Sequence, residues 1–466
     1  MTYPEALNYL NSLTNYEKNS DYSYKKDLKL ARIRGFLLLL GNPQDSLRII
    51  HIAGTKGKGS TCAFVAYILR ESGFSVGLYT SPHLNDFRER IRILTPSLRG
   101  HEVPEAISSL EIASSLAAPR NDGINSVPDF EGMISKKELL RLVQELKPLI
   151  DKYNRYSKYG RLSFFEVYTA LAFLYFKRRQ INFVVLETGL GGRLDATNVA
   201  QSLVCGITPI SLEHVQQLGH TLSRIAAEKA GIIKKPGTIV VSALQAKEAR
   251  KIIHYRCKKF QAKLYEVGRE IKYSNFKRCR MIKGLKNDYK NLRLNLLGEH
   301  QLANAALAVG LVEVLSSCGF NIKACAIHRG LDRAVWPGRC ELVGRNPLII
   351  LDGAQNLASA AVLKKAIRDN FVYRKLILVL GVSSDKDICG ICKTLKPLAD
   401  EIILTQASTP RAADPQKLAR YFKRKPYLTF SVKEAKLLAR SLAGKKDLIL
   451  VTGSLFVVGE FRDVGR

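Results

Sequence analysis

Lys58 stands inside the run Gly54-Thr-Lys-Gly-Lys-Gly-Ser60, directly after an apolar β-branched stretch ending at Ala53. A strand that hands over to a helix through such a loop can grip a nucleotide triphosphate. Loop amides and the helix N-terminus point at phosphate oxygens, Lys58 adds a point charge, and Ser60 can reach a magnesium ion. The spacing departs from the common G-x-x-x-x-G-K-[ST] loop, because Gly54 lies close to Gly57-Lys58 and Gly59 follows the lysine. A plain glycine-rich strand-to-helix turn is the competing reading here.

Further along, Glu187 ends a near-continuous apolar run. An acidic residue at such a strand tip can hold magnesium, directly or through water. The following stretch, Thr188-Gly-Leu-Gly-Gly-Arg-Leu-Asp-Ala-Thr-Asn198, lets a ligand approach the backbone closely, with Arg193 and Asp195 available to fix polar groups. His214 follows another apolar strand, and Lys229 sits in Ala226-Ala-Glu-Lys-Ala-Gly-Ile232. Taken singly, each has a bland alternative: a structural histidine and a surface lysine.

These residues need a scaffold that brings strand ends together. Arg48–Ala53, Ser75–Tyr79, Asn182–Leu186, Val204–Pro209 and Thr238–Ser242 read as buried strands. Thr61–Ser72 and Phe164–Phe176 read as helices between them. This rhythm predicts a largely parallel sheet with helices on both faces. Turn-rich residues 97–132 read as an insertion, with a short helix over Glu105–Leu116. A second strand set begins near residue 340, over Leu348–Leu351, Leu376–Leu380, Glu401–Thr405 and Leu448–Val451. Trp336-Pro-Gly-Arg339, with the only tryptophan, reads as an exposed, rigid hinge.

The 466 residues, 46% hydrophobic and 24% charged, suit two globular domains with full cores. The first residues lack a signal peptide's basic start and apolar run, and no apolar stretch reaches membrane-spanning length, so a cytoplasmic location is expected. Nine scattered cysteines argue against a disulfide framework, and the lone Cys389-Gly-Ile-Cys392 is expected to be ordinary helix cysteines. The formal charge of +32 raises nucleic-acid binding. The basic run Lys247 to Arg293 carries no zinc-finger or aromatic RNA-binding signature, and a solvated face is the favoured reading.

More motifs follow in order. They include Thr80-Ser-Pro-His-Leu84 with Glu89-Arg-Ile91, Phe164-Phe-Glu166, His214 to Gly219, Leu297-Gly-Glu-His-Gln-Leu-Ala-Asn304, Asp352-Gly-Ala, Gly381-x-x-x-Asp385-Lys-Asp387 and Thr452-Gly-Ser454. With the phosphate loop and Glu187 to Asn198, this set resembles the folylpolyglutamate synthase/dihydrofolate synthase family of the Mur ligase superfamily over nearly the whole chain. The resemblance implies an α/β fold: a P-loop-type ATPase domain over 1–334, a hinge at 335–339 and a smaller Rossmann-like domain over 340–466. It also implies ATP-dependent amide ligation. A carboxylate is phosphorylated, the amine of L-glutamate attacks the acyl phosphate, and ADP and phosphate leave. The acceptor is dihydropteroate or a folate, and the enzyme is expected to be a monomer.

Carried over residue by residue, the resemblance makes Gly57, Lys58, Gly59 and Ser60 the phosphate cradle. Asn304 would face the adenine, Arg339 the phosphates and Asp352 the ribose. Ser81, Glu187 and His214 would bind one or two magnesium ions. Lys229 would be carbamylated, turning a cation into an anionic metal ligand. Lys26, Asp27 and Leu28, then Ser163, and Leu194, Asp195 and Ala196 would line the pterin side, with a helix start competing for Asp27. Ser454 has no clear role. One departure is Gln355, where the family pattern Asp-Gly-Ala-His-Asn-Pro has histidine; glutamine cannot carry a proton charge. Rival readings are another Mur-type ligase acting on a cell-wall precursor or peptide, a nucleic-acid-associated nucleotide-binding protein, and a non-catalytic relative.

Overall fold

The computed structural model describes residues 1–17, 22–96, 130–276, 279–422 and 425–463. Most of the expected insertion, including its Glu105–Leu116 helix, lies outside those residues. The first α/β unit is built on a seven-stranded sheet. Its strands are β1 (Ile49–Ala53), β2 (Val76–Tyr79), β3 (Ile91–Leu94), β4 (Phe183–Glu187), β5 (Ser202–Ile207), β6 (Ile239–Ser242) and β7 (Lys263–Glu266). The spatial order is β3-β2-β4-β1-β5-β6-β7, and only β3 runs antiparallel to its neighbour.

Alternate strand residues feed different cores. Ile50 and Ile52 join the helices Lys58–Glu71 and Glu299–Ser317 on one face, while Ile49, Val184 and Leu186 join Phe164–Arg178 on the other. Burial on both faces explains why these strands read as continuous apolar runs. Glu299–Ser317 is apolar nearly all round because it is buried nearly all round.

A small antiparallel sheet follows, of β8 (Lys272–Phe276), β9 (Cys279–Lys283) and β10 (Asp288–Tyr289). It lies inside the basic run and was not expected. The helix Lys247–Lys259 of that run turns Ala249, Ile253 and Cys257 inward and leaves Lys251, Lys258 and Lys259 exposed, as a solvated face should.

The second unit holds a six-stranded sheet of β11 (Glu341–Arg345), β12 (Leu348–Leu351), β13 (Leu376–Leu380), β14 (Glu401–Leu404), β15 (Tyr427–Leu428) and β16 (Leu448–Thr452). All its pairings are parallel except β11 with β12. At the expected hinge, one feature differs from expectation. Trp336 is half-buried rather than exposed and packs on the first unit's core, because its large apolar ring gains from leaving water. All nine cysteines are free, with Cys392 buried and Cys389 partly so. Among the described residues, no helix is long and apolar enough to cross a membrane.

Candidate active site

Four adjacent parallel strands, β2-β4-β1-β5, deliver the expected site residues to one sheet edge. Tyr79 is level with Leu186, Ile52 with Glu187, and Ala53 with Ile207. The chain therefore leaves β2 towards Ser81 and β1 towards Lys58, both beside the Glu187 carboxylate, and β5 towards His214, which feels the charges of Lys58 and Lys229. An open α/β sheet places ligands at such an edge.

The phosphate-loop helix starts at Lys58, three residues earlier than expected. Gly57, at φ +84, turns the strand's exit directly into the helix. This puts Lys58, Gly59 and Ser60 in the first turn, where backbone N–H groups have no intrahelical acceptor and favour anions. Lys58 Nζ lies 3.8 Å from Glu187 Oε1, and the Ser81 N–H donates to Glu187 Oε2 at 3.3 Å. Glu187 is 4% exposed, and burial raises its carboxyl pKa against the opposing pull of Lys58.

Lys229 ends the helix Leu222–Lys229 and donates to the Gly54 carbonyl at 2.6 Å. It is buried. Desolvation first, and then Lys58, bring its pKa down to about 7. Arg193 fixes that helix from outside: its guanidinium takes both Glu228 oxygens at 3.0 Å, and its N–H donates to the Glu228 carbonyl at 2.7 Å. His214 holds a left-handed backbone, φ 52 and ψ 41, which is uncommon for a side-chain-bearing residue and clusters at functional sites. Desolvation by its surroundings lowers its pKa, against the opposing charge of Glu213. Lys56 pairs with Glu213 and so ties the phosphate loop to the His214 loop.

Asn304 stands against the phosphate loop, since a Cβ on Gly57 would come within 2.4 Å of its Oδ1. Between Asn304 and Ser60 lies Gln301, which sequence reading passed over. It is 2% exposed, donates to Ser60 Oγ at 3.2 Å and accepts from Asn304 Nδ2 at 2.9 Å. The only signal was its place in the motif that contains Asn304. Arg339, in the link between the two units, acts electrostatically on Glu187, His300 and Asp352 and so projects its charge into the same region. The Asp352 carboxylate accepts the N–H groups of Cys340 and Ala354, each at 2.8 Å, and so ties the link after Arg339 to the end of β12. The second unit's strands also end together: β12 at Asp352 and β16 at Gly453-Ser454. The Ser454 hydroxyl accepts from Phe456 N–H at 3.2 Å, and Gln355 N–H donates to Ser359 Oγ at 3.1 Å.

Several residues expected on the pterin side carry structural bonds of their own. Ser163 caps the helix Phe164–Arg178 in a reciprocal box with Glu166, a device worth about 1 kcal/mol. Asp195 accepts from Leu190 N–H and Thr197 N–H at 2.8 and 3.0 Å and holds the glycine loop in shape, with Leu194 half-buried and Ala196 buried beside it. Asp27 does not start a helix; it ends the single turn Tyr24–Asp27, and its carboxylate takes the Ser23 N–H at 2.7 Å. Lys26 is exposed, and Leu28 packs beside Leu194 on the cluster that contains Tyr24.

Among the described residues, no three His, Cys, Asp or Glu side chains gather to form an all-protein metal cage. The set at this edge has one buried carboxylate, one histidine and serine hydroxyls. That suits magnesium, which keeps waters and binds through one or two carboxylates plus substrate phosphates.

Two family models match the chain: the Mur ligase middle domain over residues 149–312, and the Mur ligase, glutamate ligase domain over residues 338–455. The dihydrofolate synthase/folylpolyglutamate synthase of Bacillus subtilis is 32% identical over 451 residues, spanning 93% of this chain and 94% of that protein. The like-named protein of Escherichia coli is 30% identical and spans 99% of this chain and 96% of its own. Among solved structures, Mycobacterium tuberculosis folylpolyglutamate synthase complexed with ADP matches with a TM-score of 0.80 at 30% identity, covering 99% of this chain and 97% of that one. The apo form of L. casei FPGS matches with a TM-score of 0.79 at 27% identity, covering 99% of both chains.

Proposed function

The chain belongs to the folylpolyglutamate synthase/dihydrofolate synthase family of Mur ligases, and from that premise we propose that it is an ATP-dependent ligase joining L-glutamate to dihydropteroate, to a reduced folate, or to both. The observation that carries this reading is the convergence of Lys58, Ser81, Glu187 and Arg339 at one sheet edge beside the hinge. In this reading residues 1–334 bind ATP, 335–339 form the hinge and 340–466 supply the second wall.

The chemistry follows from charge. An acceptor carboxylate attacks the γ-phosphorus of ATP, the bond to ADP breaks, and an acyl phosphate forms. Two anions must meet, so Lys58, the loop amides and Arg339 offset their repulsion. Gln301 and Asn304 hold Ser60 and the loop in place. The glutamate amine then attacks the acyl carbon, phosphate leaves, and the amine gives up a proton. Docking of the second unit excludes water that would hydrolyse the acyl phosphate.

Ser81, Glu187 and His214 would hold magnesium, which when bound neutralises phosphate charge. Lys229 fits the expected modification. A pKa near 7 leaves much of it as a free amine, which can attack carbon dioxide and release a proton to give an anionic carbamate. Dihydropteroate or folate would lie near Leu28 and Leu194, on the same side as Ser163, Asp195 and Ala196.

The test is phosphate release by the full chain with ATP and magnesium, comparing dihydropteroate with tetrahydrofolate. Release that needs both L-glutamate and an acceptor is expected, and the better acceptor separates synthase from polyglutamylase. Absence of release with either acceptor would refute the reading.

A further inference from the structure

Glu89, in the motif Glu89-Arg-Ile91, has no task in the chemistry above. Its carboxylate is buried and accepts three consecutive backbone N–H groups. Leu84 donates at 2.5 Å, Asn85 at 3.0 Å and Asp86 at 2.9 Å. This clamp folds 84–86 into a tight loop that starts three residues after Ser81, whose own N–H faces Glu187.

From this loop two side chains reach the second unit. Leu84 packs against the apolar cluster that contains Val457, Val458 and Phe461, from the helix Leu455–Asp463. Asn85 Nδ2 donates to the Gly459 carbonyl of that helix at 2.5 Å. The approach leaves no room for a side chain, because a Cβ on residue 459 would come within 2.0 Å of Asn85 Oδ1 and 3.0 Å of the Leu84 carbonyl oxygen. One end of the loop is thus tied to the Ser81–Glu187 contact, and the other to the unit that carries Asp352.

We infer that Asn85 is a positioning residue for the ligase reaction. It clips the second unit to the Ser81 loop so that Arg339 and Glu187 face each other across the cleft, and Glu89 holds Asn85 in place. The inference rests on the ligase reading. It places the contact chiefly in assembly of the reacting geometry, which small misplacements degrade severely, and less in the grip on nucleotide, to which the loop around Lys58 and Asn304 of the first unit contribute without it.

The test uses the full chain and four variants: Asn85→Ala, Asn85→Asp, Gly459→Ala and Lys365→Ala. Asn85→Asp keeps the shape but has no N–H to give. Lys365→Ala breaks an exposed pair with Glu299, 2.7 Å long, between the same two units. The first three should lose kcat about tenfold or more, with the Kd for ADP by calorimetry weakened by a clearly smaller factor than kcat. Thermal midpoints should stay within about 2 °C, as small shifts in stability allow. Lys365→Ala should keep kcat within about twofold. A wild-type kcat in Asn85→Ala overturns the inference. So does a loss of kcat that only tracks loss of folded protein, or an equal loss in Lys365→Ala. A wild-type chain that releases no phosphate refutes the ligase reading instead, and this inference with it.

Discussion

Lys58 Nζ and Glu187 Oε1 stand 3.8 Å apart at the base of the cleft, one in the first turn behind the phosphate loop and the other at the tip of β4. The separation is at the outer limit of an ion pair, so the lysine can turn towards a phosphate at small cost. Lys58→Ala should lower glutamate-dependent phosphate release about 10²- to 10³-fold, the scale for removing one charge-stabilising donor. The fold should persist, since Lys58 is only part-buried. Near-wild-type turnover in that variant would show that the lysine does not serve the phosphates.

Gly57→Ala tests the loop's backbone. Residue 57 has φ +84, and a Cβ there would meet Asn304 Oδ1 at 2.4 Å. The left-handed strain alone costs about 1–2 kcal/mol. Calorimetry should show ADP affinity falling further than the thermal midpoint suggests, because the loop amides lose their aim. An unchanged Kd would mean that the loop does not cradle the nucleotide.

Gln301→Leu removes a buried link between Ser60 and Asn304 while keeping volume. Two polar groups lose their partner, at about 1–3 kcal/mol each when buried. The KM for ATP should rise more than kcat falls. An effect on kcat alone would place Gln301 in the chemical step and not in the loop's support.

Lys229 makes a prediction about pH. Its pKa is about 7 in the fold and 10.5 in the unperturbed side chain. Between those values the unfolded chain binds the extra proton, so stability rises with pH across that window, and the burial penalty is full below it. In metal-free and bicarbonate-free buffer, Lys229→Met should stabilise the fold most near pH 6, with the gain shrinking steadily towards pH 10. Thermal melts of both proteins across that range decide the matter. A gain independent of pH would mean that Lys229 titrates normally.

Strand ends were legible because two-sided burial writes continuous apolar runs, and because Gly54 and Glu187 mark where two of those runs stop. The start of the phosphate-loop helix was not, since three glycines and two lysines look like loop until Gly57 is seen to turn left-handed. The β8–β10 sheet was hidden in a basic run: β8 is exposed along its whole length, so no apolar alternation announces it. The capping bonds of Ser163 and Asp195 are not legible either, because the residue types that cap a helix are also those that bind a ligand. Gln301 and Glu89 lie within motifs, but their partners are residues far off in sequence or backbone N–H groups, which no spacing rule reveals.

The indole of Trp336 rests on the phosphate-loop helix so tightly that a Cβ on Gly59 would come within 2.6 Å of its ring. No other tryptophan exists in the chain. The molecule therefore carries its own optical probe: with the triphosphate seated at Lys58 as proposed, ultraviolet emission from a single fluorophore against that helix should let a stopped-flow trace follow nucleotide arrival without any label.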